Sequence, residues 1–375
     1  MGGPAFKLRD VFEDYDVAVL SSNYALYGDM SRRVMEVLHE LTASVEPYSI
    51  DEAFVKLSVN NNKNWTQQGR HIKDTVGKWT GIPVSVGIAP SKTLAKLANE
   101  TVKAKPEYEG VLSLTQNMRI DELLKNTPVK SIWGIGGGFT QRLFKEGIYN
   151  ALQLKKKYHQ PQWVRSRLKV NGLRTVMELN GEPCTGITER TDTRKGIMTS
   201  RSFGEAVTAL KDIREAVANF VSTAAQKLRA QHSLASLLWV TLRTSKYAAG
   251  APSTYKRTLT VSFPTPTAHT PHLIEAAQKA AEYRFETGNR YKKAAVMLTG
   301  IVPESEMQAD LFSNHSYKKD QHELMNRVDE INKKYGKRTT HIAGTGIEQN
   351  WQMKQEYLSD GFTTRWDELM EVQAS

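Results

Sequence analysis

Tyr48-Ser49-Ile50-Asp51-Glu52-Ala53-Phe54-Val55-Lys56-Leu57 alternates as a β-strand, with one face set by Ile50, Phe54 and Leu57. Neighbouring residues on a strand point to opposite sides, so the adjacent carboxylates of Asp51 and Glu52 cannot both be plain surface decoration inside an apolar segment. A carboxylate held on a strand beside hydrophobic neighbours is a common way to bind Mg²⁺, which takes hard oxygen ligands and completes its shell with phosphate oxygens. An edge strand with both charges in solvent is the other reading of the pair alone.

Working outward, Val17-Ala18-Val19-Leu20 reads as a short buried strand, and a helical pattern runs from Asp29 to Leu41 through Met30, Val34, Val37, Leu38 and Leu41. A helix around 69–80 precedes the strand Val84-Ser85-Val86-Gly87-Ile88. A second helix starts at Ser91 and turns Leu94, Leu97 and Ala98 inward, and 111–114 is another strand. This αβαβ succession suits an α+β or α/β layer. From Asp121 the texture becomes short helices and glycines, with Gly134-Ile135-Gly136-Gly137-Gly138 opening a helix near 140–145 and another following at 150–157. Residues 184–195 lack periodicity and read as a linker. Residues 197–300 pattern as strand, helix, strand, strand, helix, strand, a compact unit of the split-βαβ kind. A helix near 322–334 and a polar tail complete the chain. The fold class expected is α+β with several domains.

The 375 residues hold 51 Lys and Arg against 40 Asp and Glu, a net charge of +11. The charge is uneven: residues 1–120 are neutral, 121–190 carry +6, 191–300 carry +9 and 301–375 carry −4. A neutral front, a basic middle and an acidic tail point to separate units, and the basic middle to a phosphate backbone as partner. Cys184 is the single cysteine, which excludes an internal disulfide framework and a Cys-rich zinc site and makes a reducing, cytoplasmic location the default. No apolar run reaches the ~20 residues of a membrane span, so no membrane partner is expected.

The residues around the carboxylates carry a resemblance. Ser49-Ile50-Asp51-Glu52-Ala53-Phe54 resembles the second catalytic motif of the Y-family (translesion) DNA polymerases, and Gly87-Ile88-Ala89-Pro90-Ser91-Lys92-Thr93-Leu94-Ala95-Lys96-Leu97-Ala98 the next palm motif. Lys105, before Pro106, matches the lysine that meets the incoming triphosphate. Lys92 and Lys96 are left open between a structural role and a DNA contact. Trp133 to Gly138 resembles the helix-hairpin-helix of the family's thumb: Gly134, Gly136, Gly137 and Gly138 permit a tight turn whose freed N–H groups receive a phosphate, and Lys155, Lys156 and Lys157 continue that grip. The +9 segment resembles the little finger, which holds DNA by its backbone, with Arg201, Arg243, Lys246, Lys256, Arg257, Arg290, Lys292 and Lys293 as candidate phosphate partners. Gln308, Leu311 and Phe312 resemble the peptide by which bacterial polymerases bind the sliding clamp. Further matches at 344–347, 351–354 and 363–365 resemble the carboxy-terminal extension of the UmuC branch of the family.

The resemblance implies a partial palm with a remnant of fingers over 1–120, a thumb over 121–190, a linker over 191–196, a little finger over 197–302, and a clamp motif with extension over 303–375. It implies template-directed, error-prone synthesis opposite lesions in the SOS response, with two Mg²⁺ ions. The implied partners are primer-template DNA, deoxynucleoside triphosphates, the sliding clamp, a UmuD′ dimer and the RecA filament. The family's opening strand with a further metal-binding aspartate has no counterpart here; Asp16 falls on a later strand of the pattern. The expectation is therefore a family member without its first several dozen residues, with Asp51 and Glu52 as two of three metal carboxylates and with primer extension that is poor or absent. A non-catalytic protein that binds damaged DNA and the clamp is the alternative.

Overall fold

The computed structural model describes residues 3, 5–57, 64–115, 117–188, 193–245, 256–306, 315–336, 338–347, 349 and 351–372. Contacts divide the chain into two units, one of residues 1–191 with 358–375 and one of residues 192–357. The chain therefore passes from the first unit to the second and later returns.

The first unit contains α1 (Arg9–Asp14), α2 (Tyr24–Leu41), β1 (Ser44–Pro47), β2 (Ala53–Lys56), α3 (Trp65–Thr80), β3 (Val86–Ile88), α4 (Lys92–Ala104) and β4 (Val111–Ser113). Four further helices follow: α5 (Asn117–Asn126), α6 (Gly137–Lys145), α7 (Ala151–Lys155) and α8 (Pro161–Leu179). The β1 and β2 strands form an antiparallel hairpin, whereas β3 and β4 pair in parallel. Ser91 caps α4 by accepting from the Leu94 N–H at 3.4 Å, and the spacing of Leu94, Leu97, Ala98 and Val102 buries one face of the helix. That helix lies so close to β3 that a Cβ on Gly87 would stand 2.3 Å from the Ala95 carbonyl oxygen, so only glycine fits there. One core joins α4 and β4 to the helices from α5 to α8, through Leu124, Leu143, Leu154, Leu168 and Leu179. A smaller one, of Val37, Ile72 and Val76, joins α2 to α3.

Two segments depart from the sequence reading. Residues 17–20 form no strand among the described residues, and Val17, Val19 and Leu20 are exposed; only the neighbouring Ser21 bridges to Leu358. A strand without a partner leaves its backbone groups to water. The expected strand over 48–57 begins only at Ala53. Tyr48 and Ser49 both donate their N–H groups to the Glu52 carbonyl, at 2.9 and 3.0 Å, so residues 48–52 close a hairpin and Ile50 is exposed rather than inward. The Ser49 hydroxyl competes for the backbone here by accepting from the Asp51 N–H at 3.3 Å. The sequence reading assigned no element to α8, which starts on Pro161 and is broken at Lys169, where φ is 63°. The break rotates the apolar stripe and hides the helical period.

The second unit runs β5 (Ile197–Val207), α9 (Leu210–Arg229), β6 (Ser233–Thr244), β7 (Lys256–Thr267), α10 (Thr270–Arg284) and β8 (Tyr291–Pro303). This is the strand-helix-strand-strand-helix-strand succession expected of a split-βαβ unit. The four strands order as β5-β8-β6-β7, all antiparallel. Helices α9 and α10 cover one face and bury Ile213, Val217, Val221, Leu273 and Ala277 against Leu238, Val240, Val296 and Leu298. The last long helix, α11 (His315–Tyr335), is fixed to this unit by the buried Arg229, whose guanidinium donates to both Asp329 carboxylate oxygens at 2.7 and 2.9 Å. Beyond it Trp351 enters the same core, edge-on to Phe203 and Phe220, and the Gln352 carbonyl accepts from the Gly204 N–H at 3.1 Å. Residues from 358 onward belong to the first unit, where the Ser359 carbonyl accepts from the Asn23 side chain at 3.0 Å. No helix of the described residues is long and apolar enough to cross a membrane.

Candidate active site

Asp51 and Glu52 occupy the tip of the β1–β2 hairpin. Asp51 is exposed and bonded to the Ser49 hydroxyl. That hydroxyl holds its carboxyl below the ordinary aspartate value of 3.8; the little burial there is opposes the shift, and the fields of Lys103 and Lys96 add to it. A depressed folded value favours the carboxylate, so the stabilising contribution is complete above 3.8 and is lost only as pH falls through the lower folded value. An NMR titration of the Asp51 side chain is expected to show a midpoint below 3.8, moving back toward it in Ser49→Ala.

Glu52 accepts from Lys96 Nζ at 2.7 Å, with Lys103 3.7 Å from its other oxygen. Lys96 and Lys103 stand seven residues apart on α4, two turns along one face. Both lysines face the carboxylate pair, a placement of Lys103 that the sequence reading missed and the seven-residue spacing contains. Lys96 also lies 4.8 Å over the Tyr48 ring, and Tyr48 joins Phe54 and Trp133 in an aromatic cluster, with the Trp133 indole donating to the Tyr48 hydroxyl at 3.0 Å. Lys105 sits just past the end of α4, its side chain half exposed and 3.7 Å from Glu107. The donors at the tip are hard carboxylate oxygens, which suit Mg²⁺ in type. The described residues contain no group of three or more His, Cys, Asp and Glu side chains placed to hold a metal, so phosphate oxygens would have to complete the shell.

The glycine turn opens α6. Gly134 has φ +88°, Gly136 is the cap, and a Cβ on Gly136, Gly137 or Gly138 would meet nothing within 4 Å. The N–H groups of this first turn therefore border open space. Of the basic run, Lys155 pairs with Asp121 at 2.6 Å and Lys157 lies 4.8 Å over Trp163, so both are engaged within the unit; Lys156 is exposed.

In the second unit the strand register brings three of the candidate cations into one line. Lys293 of β8 stands opposite Arg243 of β6, and Arg243 opposite Lys256 of β7. The row alternates with the buried Ala294 and Leu242, so it lies on the sheet face that the helices leave open. Like charges directly opposite each other repel, and an anion set among them removes that cost. Arg201 and Arg257 fall on the alternate register, with Arg257 2.6 Å from Glu286; Lys292 donates to the Gly204 carbonyl at 3.0 Å, and Arg290 is exposed just before β8. Lys246, Gln308, Leu311 and Phe312 lie outside the described residues.

Comparison with known proteins gives the lineage. Residues 1–100 match the impB/mucB/samB family, residues 194–311 the C-terminal domain of that family, and residues 322–372 a domain of unknown function (DUF4113). The chain is 40% identical to protein UmuC of Salmonella typhimurium over 99% of its own length and 88% of the relative's. It is 39% identical to protein ImpB of Salmonella typhimurium, covering 98% and 87%. With DNA polymerase IV of Caulobacter vibrioides it shares 26% identity over 80% of its length and 71% of the relative's. A solved Y-family DNA polymerase chimera has the same fold, with a TM-score of 0.56 at 20% identity over 74% of this chain and 76% of that one. These matches show the family: the chain belongs to the impB/mucB/samB family of UmuC-like Y-family DNA polymerases.

Proposed function

We propose that this chain carries out error-prone, template-directed addition of deoxynucleotides opposite DNA lesions in the SOS response, in the cytoplasm. The observation that carries the reading is the hairpin tip: two adjacent carboxylates, one exposed and held ionised, faced by two lysines of one helix. Asp51 and Glu52 would hold Mg²⁺, which when bound neutralises charge on the triphosphate and supports in-line displacement. Lys96 and Lys103 keep Glu52 oriented, and their positive charges make the local potential more favourable to an approaching triphosphate. Lys105, which among the described residues meets only the exposed Glu107 and the Tyr108 ring, would take a phosphate oxygen as a point charge.

The open turn of Gly136 to Gly138 and the row Lys293, Arg243 and Lys256 would grip the primer-template through its backbone. The peptide Gln308 to Phe312 would bind the sliding clamp, with UmuD′ and the RecA filament as further partners. Replacing Arg243, Lys256 and Lys293 together by Ala is expected to weaken binding equally across DNA sequences. It should also reduce the slope of log K against log salt by about 3, one for each lost phosphate contact. Fluorescence anisotropy on a labelled primer-template at several salt concentrations measures both; an unchanged slope removes the row from the interface. Primer extension on damaged and undamaged templates tests the activity itself. DNA binding without extension would favour the binding-only alternative.

A further inference from the structure

We propose that Glu46 and Lys92 form a latch that fastens the segment leaving the first unit, residues 186–188, to the hairpin that carries Asp51 and Glu52. Lys92 is 7% exposed, and its ammonium has three donors. It approaches both Glu46 carboxylate oxygens, at 2.8 and 2.7 Å, and the Gly186 carbonyl, at 2.8 Å. Glu46 in turn accepts from the Thr188 N–H at 2.7 Å. Each member of the pair therefore holds one backbone group of the exit segment, and the ammonium's hydrogen-bonding capacity is filled.

Solubility does not require such an arrangement, and burying two charges is costly unless every partner is present. The partners chosen are two backbone groups of one short segment. Glu46 lies on β1 opposite Phe54 in the register, and Lys92 Nζ stands 5.2 Å over the Phe54 ring, which packs on Tyr48 and Trp133. The residues flanking Lys92 act on the preceding element. Ser91 donates its hydroxyl to the Glu178 carbonyl at 2.6 Å, and the Thr93 N–H donates to the buried Glu178 carboxylate at 2.9 Å. One helix start thus holds the end of α8, the exit segment and the hairpin together. Glu46 and Lys92 are positioning residues: they act on nucleotide addition through the hairpin, a consequence that rests on the polymerase reading, whereas the latch itself does not.

Hydrogen exchange of the peptide covering 182–188, read by mass spectrometry, tests the latch. Exchange at Thr188 is expected to speed up about tenfold or more in Glu46→Gln, in Lys92→Met and in the double variant, while β6 and β8 keep the wild-type rate. The double variant leaves no unpaired buried charge and keeps the test readable where Lys92→Met fails to fold. Single-turnover incorporation should fall in the same variants, with the KM for nucleotide unchanged. Wild-type exchange at Thr188 in Glu46→Gln and in the double variant would overturn the latch. Faster exchange at Thr188 from a protein that never extends a primer would uphold the latch and count against the polymerase reading alone.

Discussion

Asp51→Asn is expected to reduce single-turnover nucleotide incorporation on the order of 10³-fold, a loss at least as large as that of one preorganised electrostatic donor at an active site. The substitution keeps the size and shape of the side chain and its place beside Ser49, and removes only the charge. Asp51 is exposed and the hairpin takes its shape from the Tyr48 and Ser49 bonds to Glu52, so the fold and DNA affinity should stay within about 0.5 kcal/mol of wild type. Quench-flow primer extension beside anisotropy on the same primer-template separates the two quantities. With Asp51 holding Mg²⁺ as proposed above, raising Mg²⁺ should recover part of the rate. Unchanged incorporation by Asp51→Asn would remove the hairpin tip from the chemistry.

Trp351→Ala is expected to cost about 3–5 kcal/mol, the range for removing a large aromatic side chain from a core. Trp351 is only 5% exposed and packs edge-on against Phe220 at 5.4 Å and Phe203 at 6.3 Å. Its indole N–H has no hydrogen-bond partner among the described residues, so Trp351→Phe loses packing volume but no polar interaction and should cost under about 1.5 kcal/mol. The melting temperature of the second unit should fall roughly 10 °C in the Ala variant and far less in the Phe variant, measured by calorimetry. An unchanged transition in Trp351→Ala would show that residues 338–357 decorate the unit rather than complete it. The expected result gives the segment matched as a domain of unknown function a structural task in the second unit.

The elements legible in the sequence were those specified within a few residues. Helix α4 announced itself by the Ser91 cap and the inward Leu94, Leu97 and Ala98, and the second unit by long alternating strands with uninterrupted helices between them. The carboxylate pair was legible as a pair but misread as mid-strand, because the Ser49 and Asp51 side chains turn the backbone where apolar alternation alone continues it. Residues 17–20 carry strand composition, but composition cannot supply a pairing partner. The Glu46–Lys92–Gly186 cluster was invisible: its members are 46 and 94 positions apart, and only the folded core brings them together. The row of Lys293, Arg243 and Lys256 was legible as charge but not as a row, since register is a property of pairing.

The division of the chain, with residues 192–357 set between two parts of the first unit, has a consequence for the order of biosynthesis. On the ribosome the split-βαβ unit has every one of its strands and helices before residues 358–375 emerge. The first unit must wait through residues 192–357 for the segment that supplies the Ser359 carbonyl to Asn23 and the Leu358 bridge to Ser21. At 5–20 residues per second that delay is roughly 10–30 s. Throughout it the start of α2 stands without its partner segment, so the nascent chain offers chaperones and proteases a window there that closes only once residues 358 and 359 have emerged.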